Sequence, residues 1–391
     1  MTSHKEMISF LESQEPNMFT LLEDLVLIQS GSYNKKGVDR VADHIAGIFT
    51  DMHMIQEIIK QNSLGNHLIV RSQACSSFDS QILFVGHMDT VFPADTDFNW
   101  YKEDENKCYG PGVVDMKGGL VTGIFALKAL DQLGLLEKIP ITFLFNSDEE
   151  IGSRSSLDYI QRETNQSAFA FVLEAGGLDN KIVTGRKGNL SIEIQIVGAA
   201  GHAAFAPKNK SSAILEMAHK TIDLEALNDF EKGVTINVGK VEGGIGSNTV
   251  PELSNALVDF RYINPEDLLY LEKKVSEIST KQVVHGTECR VDLLSGRPPM
   301  QQSDGNRNLF KQFEKVASSL GYTIQEEFRF GVSDANFIAD MNVPVLDGLG
   351  PIGAKDHSRD EYMIKESLLK QTILLACGTL ACWDAYVGGT L

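Results

Sequence analysis

Ile82-Leu83-Phe84-Val85-Gly86-His87-Met88-Asp89 sets four apolar residues in a row directly before a glycine, a histidine and an aspartate. A strand with one face in water alternates apolar and polar residues; an unbroken apolar run of this length suits a strand covered on both faces. Three other runs read the same way: His67 to Val70, Ile141 to Phe145 and Phe169 to Leu173. Helix candidates are interleaved with them. Val38 to Met52 places Val41, Ile45, Ile48, Phe49 and Met52 at helical spacing, and Gly118 to Leu130 is an apolar helix candidate. Buried strands alternating with helices predict an α/β sheet flanked by helices, with its chemistry at the strand ends.

The texture changes near Gly185. From Leu190 to Val197 apolar and polar residues alternate, the pattern of a half-buried strand. A helix candidate follows at Ser211 to Leu227, then strands at Val234 to Val241 and Glu252 to Tyr262. Asn264 and Pro265 read as the cap and first residue of a second helix, with Glu266 and Asp267 in its favourable first turn. A strand at Glu288 to Leu294 closes the series. The order β-α-β-β-α-β is the ferredoxin-like split pattern. After Arg297-Pro298-Pro299 the α/β texture returns, with helix candidates at Asn306 to Leu320 and Leu368 to Cys382. The expectation is a sheet domain built from residues 1–185 and 298–391, with a ferredoxin-like α+β lid inserted at residues 186–297.

A chain of 391 residues is long for a single core, which agrees with two lobes. Thirty-five basic against 53 acidic side chains give a net charge of −18, which argues against nucleic acid as a partner. No apolar stretch approaches the roughly 20 residues of a membrane helix. The N-terminal region carries Glu12, Glu15, Glu23 and Asp24 and lacks the basic and apolar runs of a secretory signal. Cys75, Cys108, Cys289, Cys377 and Cys382 are scattered, with no CxxC pair, as expected of reduced thiols in a cytoplasmic protein.

Acids and histidines recur where the buried runs stop. In an extended backbone His87 and Asp89 point to the same side, so the carboxylate can orient the imidazole as a metal ligand; taken alone, a structural His–Asp pair at a strand end is the plainer reading. Asp115 lies in the turn-rich Gly110-Pro111-Gly112-Val113-Val114-Asp115-Met116-Lys117-Gly118-Gly119, before an apolar helix, as a ligand or a plain helix cap. Asp148, Glu149 and Glu150 follow the Ile141 run, and their mutual repulsion at a strand end calls for compensating cations. Neighbouring side chains diverge, so one carboxylate can bind metal while the next serves as a base. Glu174 follows the Phe169 run, and His357 stands alone near the C-terminus. Two imidazoles and three carboxylates from five segments suit two Zn²⁺ ions bridged by one carboxylate.

In order and context, His87-Met88-Asp89-Thr90, Gly112-Val113-Val114-Asp115-Met116-Lys117-Gly118, Asp148-Glu149-Glu150-Ile151-Gly152-Ser153, Leu173-Glu174-Ala175-Gly176 and His357 resemble the M20 family of metallopeptidases. The resemblance spans essentially the whole chain. Glu174 and Gly296-Arg297-Pro298 place it nearest the glutamate carboxypeptidase branch. It implies that Asp115 bridges two Zn²⁺ per subunit, with Co²⁺ or Mn²⁺ as possible substitutes. His87 and Glu174 would complete one site, Glu150 and His357 the other. Asp89 would orient His87, Glu149 would be the general base, and the Asp115–Met116 peptide would be cis.

The same resemblance covers the lid. Gly198-Ala199-Ala200-Gly201-His202 matches a motif whose histidine stabilises the oxyanion, often across a homodimer formed through the lid. Relatives often carry Ser where this chain has Gly201. Asn248, Arg261, Arg297, Gly331 and Ser333 match positions that contact substrate, and Arg186 and Lys187 are further candidates. Arginines can grip a carboxylate with two hydrogen bonds. The implied substrate is a small peptide or N-acyl amino acid that loses a C-terminal, glutamate-like residue. A deacylase of the acetylornithine deacetylase or succinyl-diaminopimelate desuccinylase kind uses the same mechanism and is the alternative. A catalytically silent binding homologue would lack a ligand or the base, and here every such position is filled.

Overall fold

A computed structural model describes residues 2–391. The chain divides into two units, one holding residues up to Gly185 with Gln302–Arg329 and Ser333–Leu391, the other Arg186–Gln301 with Phe330–Val332.

In the first unit six strands lie in the order Ile55–Ile59, His67–Arg71, Ile141–Asn146, Gln81–His87, Ser167–Val172 and Val345–Leu346. The last four run parallel and the first two antiparallel, so the sheet is mixed. Gln81–His87 and Ile141–Asn146 are buried along their whole length, as their apolar runs require, with the one polar residue inside those runs, Thr142, donating to Gln81 at 2.6 Å. Helices Thr2–Leu27, Lys117–Gln132, Asp304–Ser319 and Lys365–Val387 pack together beside the sheet.

The Lys117–Gln132 helix lies so close to the sheet that a Cβ on Gly119 would fall 1.9 Å from the Leu173 carbonyl oxygen. On Gly123 it would fall 2.5 Å from Phe143. Glycine is what permits that approach. Lys117, itself fully buried, donates to the carbonyls of Leu25 and Ile28 at 2.9 and 2.8 Å, capping the end of the first helix.

Helix boundaries differ from the sequence expectation in ways the caps explain. The second helix starts at Lys35 rather than Val38 because the Asn34 side chain accepts from the Gly37 amide. The N-terminal helix is an element the periodic reading passed over. Met7, Leu11, Met18, Leu21, Leu22, Leu25 and Val26 are among its buried positions, and Pro16 lies on its exposed side.

The second unit is a four-stranded antiparallel sheet in the order Thr235–Gly243, Leu253–Tyr262, Gly188–Val197 and Glu288–Arg297. Helices Ala213–Glu225 and Pro265–Thr280 connect the strands in β-α-β-β-α-β order. Ile192, Ile194, Ile196, Val258 and Phe260 are buried with Met217, Leu224 and Leu271 of the helices. Asn264 and Asp267 form a capping box, with Pro265 at the first helical position. Among the described residues no helix is long and apolar enough to cross a membrane.

Candidate metal centre

Parallel pairing aligns the carboxyl ends of three strands. His87 sits opposite Asn146, and Leu173 donates its amide to the Val85 carbonyl, so Glu149, Glu150 and Glu174 emerge on the same sheet edge as His87. The other two ligand candidates come from loops joined by a small sheet in which Tyr109 pairs with Tyr362. One loop ends in Asp115, and the other carries His357 in a left-handed conformation at φ 57°. Glu361 joins them directly. Its buried carboxylate accepts from the amides of Gly112, Val114 and Asp115 at 3.0, 3.0 and 3.1 Å. Burial pushes its pKa up to about 7 against the pull of those amides. The Asp115–Met116 peptide is cis.

Around Asp115 the five side chains converge. Its Oδ1 lies 3.1 Å from His87 Nε2, and its Oδ2 lies 3.2 Å from His357 Nε2. Glu174 Oε1 is 3.7 Å from His87 Nε2, and Glu150 Oε2 is 3.3 Å from His357 Nε2. One carboxylate therefore offers one oxygen to each of two imidazole–glutamate pairs. Ligand atoms of His87, Asp115 and Glu150 all lie within 4.8 Å of one another, as do those of His87, Glu149 and Glu174. Asp115, Asp356 and His357 form a third such group.

The electrostatics of these groups describe a site short of positive charge. Burial opposes ionisation of Asp115, yet hydrogen bonds from His357 and His87 hold its carboxyl well below the usual range. Burial and the Asp115 charge push Glu150 up to about 8 and Glu174 well above its ordinary value. Hydrogen bonds to Asp115 and Glu150 raise His357 to about 11. His87 is raised too, because Asp115 and Asp89 outweigh its burial. Protons are retained where cations are otherwise needed. A nitrogen and oxygen donor set with one shared carboxylate fits two divalent ions such as Zn²⁺.

Asp89 does more than face His87. His87 Nδ1 is 2.9 Å from the Asp89 main-chain oxygen and 3.4 Å from its Oδ1. The carboxylate accepts from the amides of Glu149 and Glu150 at 3.2 and 3.3 Å and from Ser32 Oγ at 2.7 Å. Asp148, the first of the three consecutive acids, is fully buried and compensated by donors rather than by a cation. It accepts from Ser155 Oγ at 2.8 Å, the Ser155 amide at 2.6 Å and Ser156 Oγ at 2.6 Å.

The remaining expected site residues divide between the units. His202, Asn248, Arg261, Arg297 and Gly331 belong to the second. His202 is exposed, and its Nδ1 accepts from the Ala204 amide at 3.2 Å. A Cβ on Gly201 would meet nothing within 4 Å, so the position before this histidine does not demand glycine. The Asn248 main-chain oxygen accepts from the Ala203 amide. Arg261 forks onto Asp259 at 2.7 and 3.2 Å. Arg297 is buried at a strand end, and the Gly331 carbonyl accepts from Arg186 at 3.0 Å. Lys187 donates to the Gly233 carbonyl at 2.6 Å. Ser333, in the first unit, is buried, and its hydroxyl is committed to Asp347 Oδ2 at 2.6 Å. Glu361, Lys117 and Ser32 were not foreseen, since a buried clamp and a surface residue look alike in a string of letters.

Replacing Glu361 by Ala strands three amides beside the metal-site turn. At about 1–3 kcal/mol for each buried orphan, the expected loss is several kcal/mol in urea unfolding. A loss below about 1 kcal/mol would mean the clamp contributes little.

An α/β sheet carrying two imidazoles and three carboxylates at its strand ends and adjoining loops has the donor set of a two-cation site that activates water. Residues 83–378 match the model of Peptidase family M20/M25/M40, and the chain belongs to this family of metallopeptidases. It is 26% identical over 371 residues to carboxypeptidase G2 of Pseudomonas sp. (strain RS-16), covering 93% of this chain and 88% of that one. Aminopeptidase PepT from Bacillus cereus superposes with a TM-score of 0.76 at 22% identity, over 94% of this chain and 98% of the other. Bacillus subtilis YXEP, a dinuclear metal binding peptidase from the M20 family, gives 0.67 at 15% identity, over 95% and 99%.

Proposed function

We propose that the protein is a two-zinc amidohydrolase that releases a C-terminal, glutamate-like amino acid from a small peptide or N-acyl amino acid. The observation that carries this reading is the Asp115 carboxylate, whose two oxygens face two separate imidazoles at 3.1 and 3.2 Å. His87, Asp115 and Glu174 would hold one ion, and Asp115, Glu150 and His357 the other. When bound, two divalent ions exceed the three ligand carboxylates by about one positive charge, which polarises the scissile carbonyl and acidifies water.

The chain's own groups do the rest. Glu149 takes a proton from the attacking water and returns it to the leaving nitrogen. Asp89 holds His87 and, through the two amides it accepts from, keeps Glu149 in place. A neutral His202 whose Nδ1 accepts from Ala204 carries its proton on Nε2, the form needed to donate to an oxyanion. In this reading it acts on the partner's substrate within a cytoplasmic homodimer joined through the second unit. Asn248, Arg261, Arg297 and Gly331 are assigned to the substrate, with the arginines on its carboxylate, while Ser333, buried with its hydroxyl on Asp347, would serve by fixing the loop that lines the cleft. Likeness to carboxypeptidase G2 over most of both chains supports the carboxypeptidase side.

Zinc-loaded protein assayed on acyl-glutamates, dipeptides ending in glutamate, and N-acetylornithine tests the proposal. A kcat/KM at least tenfold higher for the glutamate compounds is expected, about 1.4 kcal/mol in transition-state binding. Faster cleavage of N-acetylornithine would establish a deacylase instead.

A further inference from the structure

His67 is fully buried at the start of the His67–Arg71 strand and lies outside the ligand set. Its two ring nitrogens face two hydroxyls, Nδ1 at 3.0 Å from Ser147 Oγ and Nε2 at 3.2 Å from Ser155 Oγ. Ser147 donates its proton to the Gly65 carbonyl at 2.6 Å, so it accepts from Nδ1–H. Burial holds the His67 pKa below the ordinary imidazole value, although the Asp148 charge and a hydrogen bond to the Ser155 backbone pull the other way. Ser155 Oγ gives its one proton to Asp148 Oδ2 at 2.8 Å, and the same oxygen lies 3.2 Å from His67 Nε2, so Ser155 links the ring to the carboxylate.

The chain of contacts continues past Asp148. Asn146 gives its amide hydrogens to Ser156 Oγ at 3.3 Å and Asp334 Oδ2 at 2.6 Å, and Ser153 donates to the other Asp334 oxygen. Turning the Asn146 amide over would set its oxygen against a carboxylate, so its orientation is fixed. Asp148 stands immediately before Glu149 and Glu150, whose amides are held from the other side by Asp89. The short turn that carries Glu149 is thus gripped at its first residue by the His67 network and at its next two by Asp89. A side chain placed this way loses little entropy on reaching its working geometry.

We propose that His67 is a positioning residue for Glu149, acting through Ser155 and Asp148; this rests on Glu149 being the general base. Buried polar chains behind a metal site hold the groups in front of them, and breaking one typically costs about 10–100-fold in activity or metal affinity. A network that only braced the fold would lower stability and leave the rate alone.

The test uses His67→Gln and Ser155→Ala, singly and together, with Glu149→Gln alongside, in zinc-loaded enzyme on the substrate it cleaves fastest. Each single variant is expected to lower kcat by about tenfold or more with KM unchanged and zinc content retained. The double variant should be no slower than the worse single, because both cut one chain. Ser155→Thr, which restores the hydroxyl, should recover kcat. Single variants with kcat within about twofold of wild type, whatever their melting temperature, overturn the inference. If Glu149→Gln is inactive while both singles run at the wild-type rate, only the positioning role falls. If Glu149→Gln turns over normally, the base assignment itself is wrong.

Discussion

Glu149→Gln is expected to lower kcat by roughly 10²–10⁴-fold, the range that a positioned general base supplies. The substitution keeps the shape of the side chain and removes only its ability to take a proton. It leaves the backbone amide that donates to Asp89 at 3.2 Å in place, so the turn should hold its geometry. Zinc content and melting temperature are therefore expected to match the wild type. Loss of activity together with loss of metal would instead make Glu149 a ligand, a role its place within 4.8 Å of His87 and Glu174 makes worth testing. A kcat within about tenfold of wild type would end the assignment.

Removing the metals should make stability fall as pH rises. In a chelator, Glu150 has a pKa of about 8 in the folded chain, and its unfolded value lies near 4.3. Between those values the folded state keeps a proton that the unfolded state gives up, so stability falls as pH rises through the window. His357, at about 11 when folded and near 6.5 when unfolded, carries the decline further. Asp115 acts in the opposite sense: its depressed pKa adds stability above about pH 4 that is lost only in stronger acid. The chelated protein should therefore melt several degrees lower at pH 8 than at pH 5. Cations displace the retained protons, so the zinc-loaded protein should lack this decline and melt higher at pH 8 than the chelated form. Calorimetry at the two pH values, with and without chelator, decides it. Identical profiles would mean that these five side chains do not bind metal.

Much of the fold was legible because burial leaves a periodic mark. Ile82–Val85 is apolar at every position and Ile141–Phe145 at all but Thr142, and the two prove to be parallel neighbours in a sheet core. Leu190–Val197 alternates and lies in a sheet with one covered face. The Asn264–Pro265 start was legible for a local reason, since a cap is written in adjacent letters. Thr2–Leu27 keeps helical spacing at Met7, Leu11, Met18, Leu22 and Leu25, but carries inside it Pro16, a residue that reads locally as a helix breaker. The second unit takes in Pro298–Gln301 and Phe330–Val332 beyond the expected segment, because unit boundaries follow spatial contacts that no local pattern encodes.

By itself the sequence determined the residue types available for chemistry and the segments that carry them: His87, Asp115, Glu149, Glu150, Glu174 and His357. Only the tertiary structure decided that Asp115 offers one oxygen to each imidazole, that Asp89 spends its carboxylate on two backbone amides, and that Glu361 clamps a turn some 250 residues away in the chain. It also decided that Asp148 is satisfied by serines rather than by a cation. The physical reason is range. Periodicity and capping act over a few residues and leave their signature in the letters, whereas a carboxylate's partner is set by which distant strands and loops meet.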